Sequence, residues 1–156
     1  MPKIDLATAP RLTGTRYPPP FDAPCRLRAF TLLSRAAGLT KIGVNLLTLP
    51  DGQWSGQRHW HEDEDEFVFV VSGEVVLVDE AGETPLTAGD CAAFPAGEAN
   101  GHHIHNRSGR DAVLLQVSNA ENPATQAVDY PDIDMVLRPG IADYLHRDGT
   151  PYPEKG

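Results

Sequence analysis

The chain has 156 residues, 40% of them hydrophobic, and its 22 acidic against 13 basic residues give a formal charge of −9. That length supplies one domain with a real core, and that charge repels phosphate backbones and anionic lipid, so nucleic acid and membrane are excluded as partners. Two cysteines, Cys25 and Cys91, make no disulfide framework and point to a reduced, cytoplasmic setting; neither a signal peptide nor a run of about 20 apolar residues is visible.

Residues 1–25 carry Pro2, Pro10, Pro18, Pro19, Pro20 and Pro24, and read as an irregular arm. Short β-rich runs follow, over residues 26–33, 40–49, 66–71, 74–79, 84–86, 91–94, 102–106 and 112–117, with Gly, Pro, Asp and Asn between them. Arg35 to Leu39 is too short and too near Gly38 for a substantial helix, and Ala81-Gly82-Glu83 reads as a hairpin turn. From residue 119 to 156 the prolines 123, 131, 139, 151 and 153 mark a second arm. The regular strand spacing predicts an all-β barrel or sandwich, a single domain over 1–156 with its core at about 26–118. Phe67 to Val71 and Val75 to Val78 are apolar on both faces, so the outer face needs a cover; a homodimer through the sheet, or the arms, would supply it.

His59-Trp60-His61 carries the chemistry. Two histidines two residues apart on a strand share a face, so both imidazoles reach one ion, and Glu66 joins them if the acidic run Glu62 to Asp65 bends. That run otherwise reads as a solvated loop, with a second, weaker cation site or a gate at the pocket mouth as the alternative. Trp60 faces away and reads as cover. A fourth ligand comes from His102, His103 or His105; strand alternation sends His103 and His105 to solvent or an interface, unless a bulge at Gly101 inverts the facing. Imidazole with carboxylate suits Zn, Mn, Fe, Ni or Cu and not the all-oxygen preference of calcium. Asn106 reads as a turn residue, His146 as a packing or surface residue near Tyr144 and Tyr152, and Cys91 as a buried, inert thiol.

His59, His61, Glu66 and Gly73 match the first motif of the cupin superfamily, HxH, four residues, E, six residues, G. Gly89, Pro95, Gly97, His102 and Asn106 resemble its second motif, with a gap after Gly97 two residues longer than usual and Asn100 at the strict histidine position. A shift of two keeps His102 facing the same way. The chain thus resembles small single-domain bacterial cupins from about residue 40 to 118. The resemblance implies a double-stranded β-helix, or jelly-roll barrel, with one divalent transition metal held by His59, His61, Glu66 and His102. Such an ion would keep open positions, as a Lewis acid does.

Two kinds of function fit. One is an enzyme acting on a small oxygenated metabolite, either dioxygenase-like or like a sugar or sugar-phosphate isomerase; the other is a non-catalytic module that binds a small ligand. A phosphorylated substrate needs a cationic clamp. Arg58 and Arg107 have the wrong strand parity for one, which leaves Lys41 and Arg28. A sensor built with a helix-turn-helix has no room in this chain.

Overall fold

The computed structural model describes residues 3–153, which are mostly strand with almost no helix. In chain order the elements are β1 (Arg11–Thr13), β2 (Ala29–Leu32), α1 (Leu33–Ala37), β3 (Ile42–Leu49), β4 (Trp60–His61), β5 (Glu66–Ser72), β6 (Glu74–Asp79), β7 (Gly82–Thr87), β8 (Cys91–Phe94), β9 (His103–His105), β10 (Ala112–Asn119), β11 (Val128–Tyr130) and β12 (Met135–Leu137). A six-stranded sheet runs β1-β2-β3-β10-β5-β8, a three-stranded sheet runs β7-β6-β9, and a second three-stranded sheet runs β12-β11-β4. The insertion of β10 between β3 and β5 is the crossover of a jelly roll. None of the described helices is long and apolar enough to cross a membrane.

Alternation places the core. Leu47 and Leu49 of β3, Val68 and Val70 of β5 and Leu114 of β10 point inward from the large sheet, and Val75, Leu86 and Ile104 meet them from β6, β7 and β9. The intervening Phe67, Phe69 and Val71 point outward and stay 36–47% exposed. Gly73 makes the tight β5–β6 connection at φ +85°, and a Cβ there would lie 2.9 Å from both Ala112 Cα and Asp111 O. Only glycine accepts that φ together with that approach.

The ends correct the expectation of irregular arms. β1 pairs with β2 (Arg11↔Thr31) and extends the large sheet, while β11 pairs with β12 and, through Val128↔His61, with β4. Proline does not forbid these strands because Pro10 and Pro131 flank β1 and β11 instead of interrupting them. The two ends meet in a second cluster, where Tyr17 and Cys25 pack with Val128, Tyr130 and Met135. The C-terminal segment therefore helps to position one of the histidines.

Candidate metal centre

His59 and His102 form an antiparallel bridge in which each backbone N–H donates to the other's carbonyl, at 3.1 and 2.9 Å. His61 lies two residues on, held in β4 against β11. Glu66 opens β5 opposite Phe94 of β8, and the Phe94 ring lies parallel on the His102 imidazole with centroids 3.4 Å apart. Each of the three histidines turns a nitrogen toward the Glu66 carboxylate. Glu66 Oε2 is 2.9 Å from His102 Nε2, 3.4 Å from His61 Nε2 and 3.8 Å from His59 Nε2. Donor atoms of His59, His61 and Glu66 all lie within 4.8 Å of one another.

The far nitrogens show that this donor set fits a cation. His59 Nδ1 is 2.7 Å from Gln57 O and His102 Nδ1 is 3.2 Å from Asn100 O. A neutral imidazole has one N–H; with that N–H given to Gln57 O, the His59 Nε2 turns its lone pair toward the Glu66 carboxylate, 3.8 Å away. Lone pairs facing lone pairs are stabilised by a cation between them. Bonds of about 2.1 Å would set adjacent donors roughly 3–3.4 Å apart, which the spacings from Glu66 Oε2 to His102 and His61 match. His61 Nδ1 is buried without a hydrogen-bond partner among the described residues, although Glu64 Oε2 stands 3.4 Å away.

Burial keeps the His59 and His61 imidazoles neutral. It pushes His59 down to about 3 against the pull of Glu66, and lowers His61 in the same way. Glu66 is also desolvated, which raises it, but the His102 hydrogen bond and the neighbouring imidazoles hold it below the ordinary carboxylate range. Glu64 behaves oppositely: burial, then repulsion from Glu66, raise its carboxyl to about 7. Tyr17 is pushed up strongly by burial and keeps its phenolic proton.

The histidines and both glutamates line a cavity of about 220 Å³, which also receives Tyr17, Arg28, Asn45 and Gln116. Sequence reasoning missed several of these. Glu64 belongs to an acidic run read as solvated, yet its side chain is 13% exposed and only Glu62, Asp63 and Asp65 of that run face solvent. Asn45 and Gln116 had a signal in the sequence: each interrupts an inward apolar row, beside Leu47 and Leu114. Arg28 lines the cavity and Lys41 lines a separate outer groove. Arg58 pairs with Asp132 and Glu80, and Arg107 pairs with Glu83, as their opposite parity implied.

Five other expectations change or sharpen. His103 does face away from His102, but it is buried and not solvated: its Nδ1 lies 3.0 Å from Gly56 O, and its ring centroid is 4.5 Å from that of Trp54. His105 sits half-buried beside the same indole, at 5.8 Å. Cys91 is exposed, because it points outward opposite Phe69, and Cys25 is the buried thiol. Asn106 is fully buried and donates to Leu49 O and Arg110 O, a turn role. His146 stacks on Tyr152 and meets Asp134 at 2.8 Å, a packing role.

Residues 45–118 match the family model of the cupin domain. No functionally curated protein matches the sequence. Among solved structures, a sugar phosphate isomerase of the cupin superfamily from Silicibacter pomeroyi is 40% identical, with 99% of this chain and 100% of that one covered and a TM-score of 0.90. A candidate sugar phosphate isomerase from Acidithiobacillus ferrooxidans is 27% identical, covering 83% and 82% of the two chains with a TM-score of 0.70. The polyketide cyclase RemF from Streptomyces resistomycificus shares the fold at 17% identity and a TM-score of 0.64 over 79% of this chain and 82% of its own. Identity of 40% across essentially both full chains, with the domain match at its centre, makes this protein a member of the cupin superfamily.

Proposed function

We propose that the chain is a single cupin domain in which His59, His61, Glu66 and His102 hold one divalent transition metal, and that it acts as an isomerase on a small oxygenated metabolite of the sugar or sugar-phosphate class. The observation that carries this reading is the convergence of three Nε2 atoms on Glu66 Oε2 at 2.9 to 3.8 Å. The name of the 40% identical relative supports the reaction class. When bound, the ion supplies Lewis-acid polarisation of a carbonyl or hydroxyl oxygen. The rest falls to this chain's side chains. Glu64 lines the cavity outside the ligand set, so its carboxylate is the group placed to take a proton from the carbon beside a carbonyl and return it to the neighbouring carbon. With the hydroxyl proton of the first carbon passing to the former carbonyl oxygen, the isomerisation balances without any co-reactant. Tyr17 keeps its proton and serves as a donor. A dioxygenase-like reaction would use the same ligands but gives Glu64 no part, and a non-catalytic module gives it none either.

The outer face supports the homodimer. Val117↔Phe67 and Leu115↔Phe69 continue into Val44 and Leu46, an apolar surface across three strands that a second copy would cover. Elemental analysis of protein purified without added metal tests the centre, and exchange of substrate carbon-bound hydrogen in D₂O tests the chemistry. About one metal per chain with exchange that disappears in Glu64→Gln is expected; metal retained by both His59→Ala and His102→Ala, or exchange undiminished in Glu64→Gln, would sink the reading.

A further inference from the structure

The metal set occupies one wall of the cavity, and the other walls hold polar groups that the fold leaves unused. Gln116 lies directly between Asn45 and Val68 in the large sheet, one inward row below the row of Ser118 and Glu66. The next row down is Leu47, Leu114 and Val70, which is apolar core. Neither the Asn45 nor the Gln116 amide makes a side-chain hydrogen bond to a described residue, though both open onto the cavity. Both amides are therefore open to a hydrogen-bonding ligand in the cavity.

Arg28 is the one lysine or arginine among the described residues that line this cavity. Its Nε donates to Gly14 O at 3.1 Å and its Nη1 to Ser55 O, while the plane rests over the rings of Tyr17 and Phe30 at 5.6 and 5.1 Å. Those contacts fix the guanidinium, and Nη2 makes no hydrogen bond to a described residue. Arg28 is also close to the metal set: a Cβ built on Gly56 would lie 3.6 Å from both Arg28 Nη1 and His59 Cε1. Glu64 and Glu121 line the same cavity. They repel an anion, so the Arg28 side is where a negative group is accepted.

We infer that Arg28, Asn45 and Gln116 form a subsite for a small polyhydroxylated anion, with a phosphate or carboxylate on the guanidinium and hydroxyls on the two amides. This deepens and rests on the isomerase reading above. A planar fixed guanidinium with a free edge suits the oxygens of either anion. The paired amides offer both donors and acceptors, which is what a hydroxyl needs and an apolar ligand does not. A volume of about 220 Å³ lies below the ~300 Å³ at which drug-sized pockets begin, so a monosaccharide-sized ligand fits and a nucleotide or polymer does not.

The test is calorimetric binding of ribose 5-phosphate, ribonate and ribose to the metal-loaded protein. Wild type is expected to bind one or both anions at least about tenfold more tightly than ribose, as charge-assisted hydrogen bonds allow. The stronger anion identifies the group that Arg28 takes. Arg28→Gln should bring that ratio to near one with metal content unchanged. Asn45→Ala with Gln116→Ala should weaken all three probes together and leave the ratio alone. Wild type without an anion preference, or Arg28→Gln that keeps it, would overturn the inference. Because Arg28 also ties Gly14 and Ser55, its variant is backed by a measurement on the intact protein: the Arg28 guanidinium ¹⁵N signals should shift when inorganic phosphate is added, and their failure to move would overturn it equally. If wild type proves to hold no metal, the metal reading fails by itself, while the anion preference is still read on the metal-free protein.

Discussion

His102 and His103 are neighbours in sequence and both are buried, yet they belong to different chemistries. His102 faces inward, with its Nε2 on Glu66 and its ring on Phe94. His103 faces outward, with its ring on Trp54 and its Nδ1 on Gly56 O. Residue type is the same and burial is the same; the side of the strand decides which histidine meets the carboxylate. The comparison breaks if the outward histidine matters to the metal. His102→Ala should weaken metal binding by more than the 10–100-fold that losing an outer partner costs. His103→Ala should leave metal content intact and cost about 1–3 kcal/mol of stability through its lost hydrogen bond and ring contact. Metal analysis beside denaturant unfolding of both variants decides; metal lost from His103→Ala alone would reverse the assignment.

The same contrast holds along β10, where Leu114 is fully buried and Leu115 points outward against Phe69 and Leu46. Leu114→Ala should cost about 2–5 kcal/mol. Leu115→Ala in an isolated chain should cost under about 1 kcal/mol. Chemical unfolding at several protein concentrations sharpens the comparison: a Leu115→Ala cost that approaches the Leu114→Ala one, and grows with concentration, shows that a second copy covers the outer face.

Much of this architecture was legible because β periodicity is local. The inward rows of β3, β5 and β10, the turn at Gly73 and the facing of His59, His61 and His102 all follow from counting by two. What failed was non-local. Nothing in the prolines of residues 119–156 says that Val128 will pair with His61, because that contact joins segments far apart in the chain. Glu64 looked solvated in an acidic run, and its burial depends on the bend that carries Glu66 onto the histidines. Cys91 looked buried because its strand is apolar, but it is the outward residue of a pair with Phe69. Arg28, left open by parity, joined the cavity through backbone carbonyls of Gly14 and Ser55 that no pattern could foresee.

Glu64 and Glu83 carry the comparison to titration. Glu83 is outward, exposed and paired with Arg107, which holds its carboxyl low. Glu64 is inward, and burial raises it from the ordinary 4.5 to about 7. Between those two values the folded state binds the Glu64 proton more tightly than the unfolded chain does. Its contribution to stability is therefore fully present below 4.5 and is lost as pH rises through 7. Going from pH 7.5 to 5, metal-free wild type should gain about 2 kcal/mol relative to Glu64→Gln, whose amide does not titrate. The lowered His59 acts in the opposite sense in both proteins and cancels from the difference, while His61, 3.4 Å from Glu64, keeps a share in it. Unfolding curves at the two pH values that run parallel for both proteins would place Glu64 in solvent.

The smallest effect is a rate, and it reads the two faces without altering the fold. Cys25 lies in the cluster that joins the chain's ends, where burial pushes its thiol up to about 11. Few thiolates form there at neutral pH, and a reagent reaches them only when the cluster opens. Cys91 stands on the outer sheet face beside Phe69. A chromogenic disulfide reagent should therefore label one thiol per chain quickly, and Cys91→Ser should abolish that phase while the slow one remains. The comparison sharpens with dilution. If the outer face is where two copies meet, labelling of Cys91 slows as protein concentration rises and Phe69→Glu restores the fast phase. If that face is open, the rate is independent of concentration.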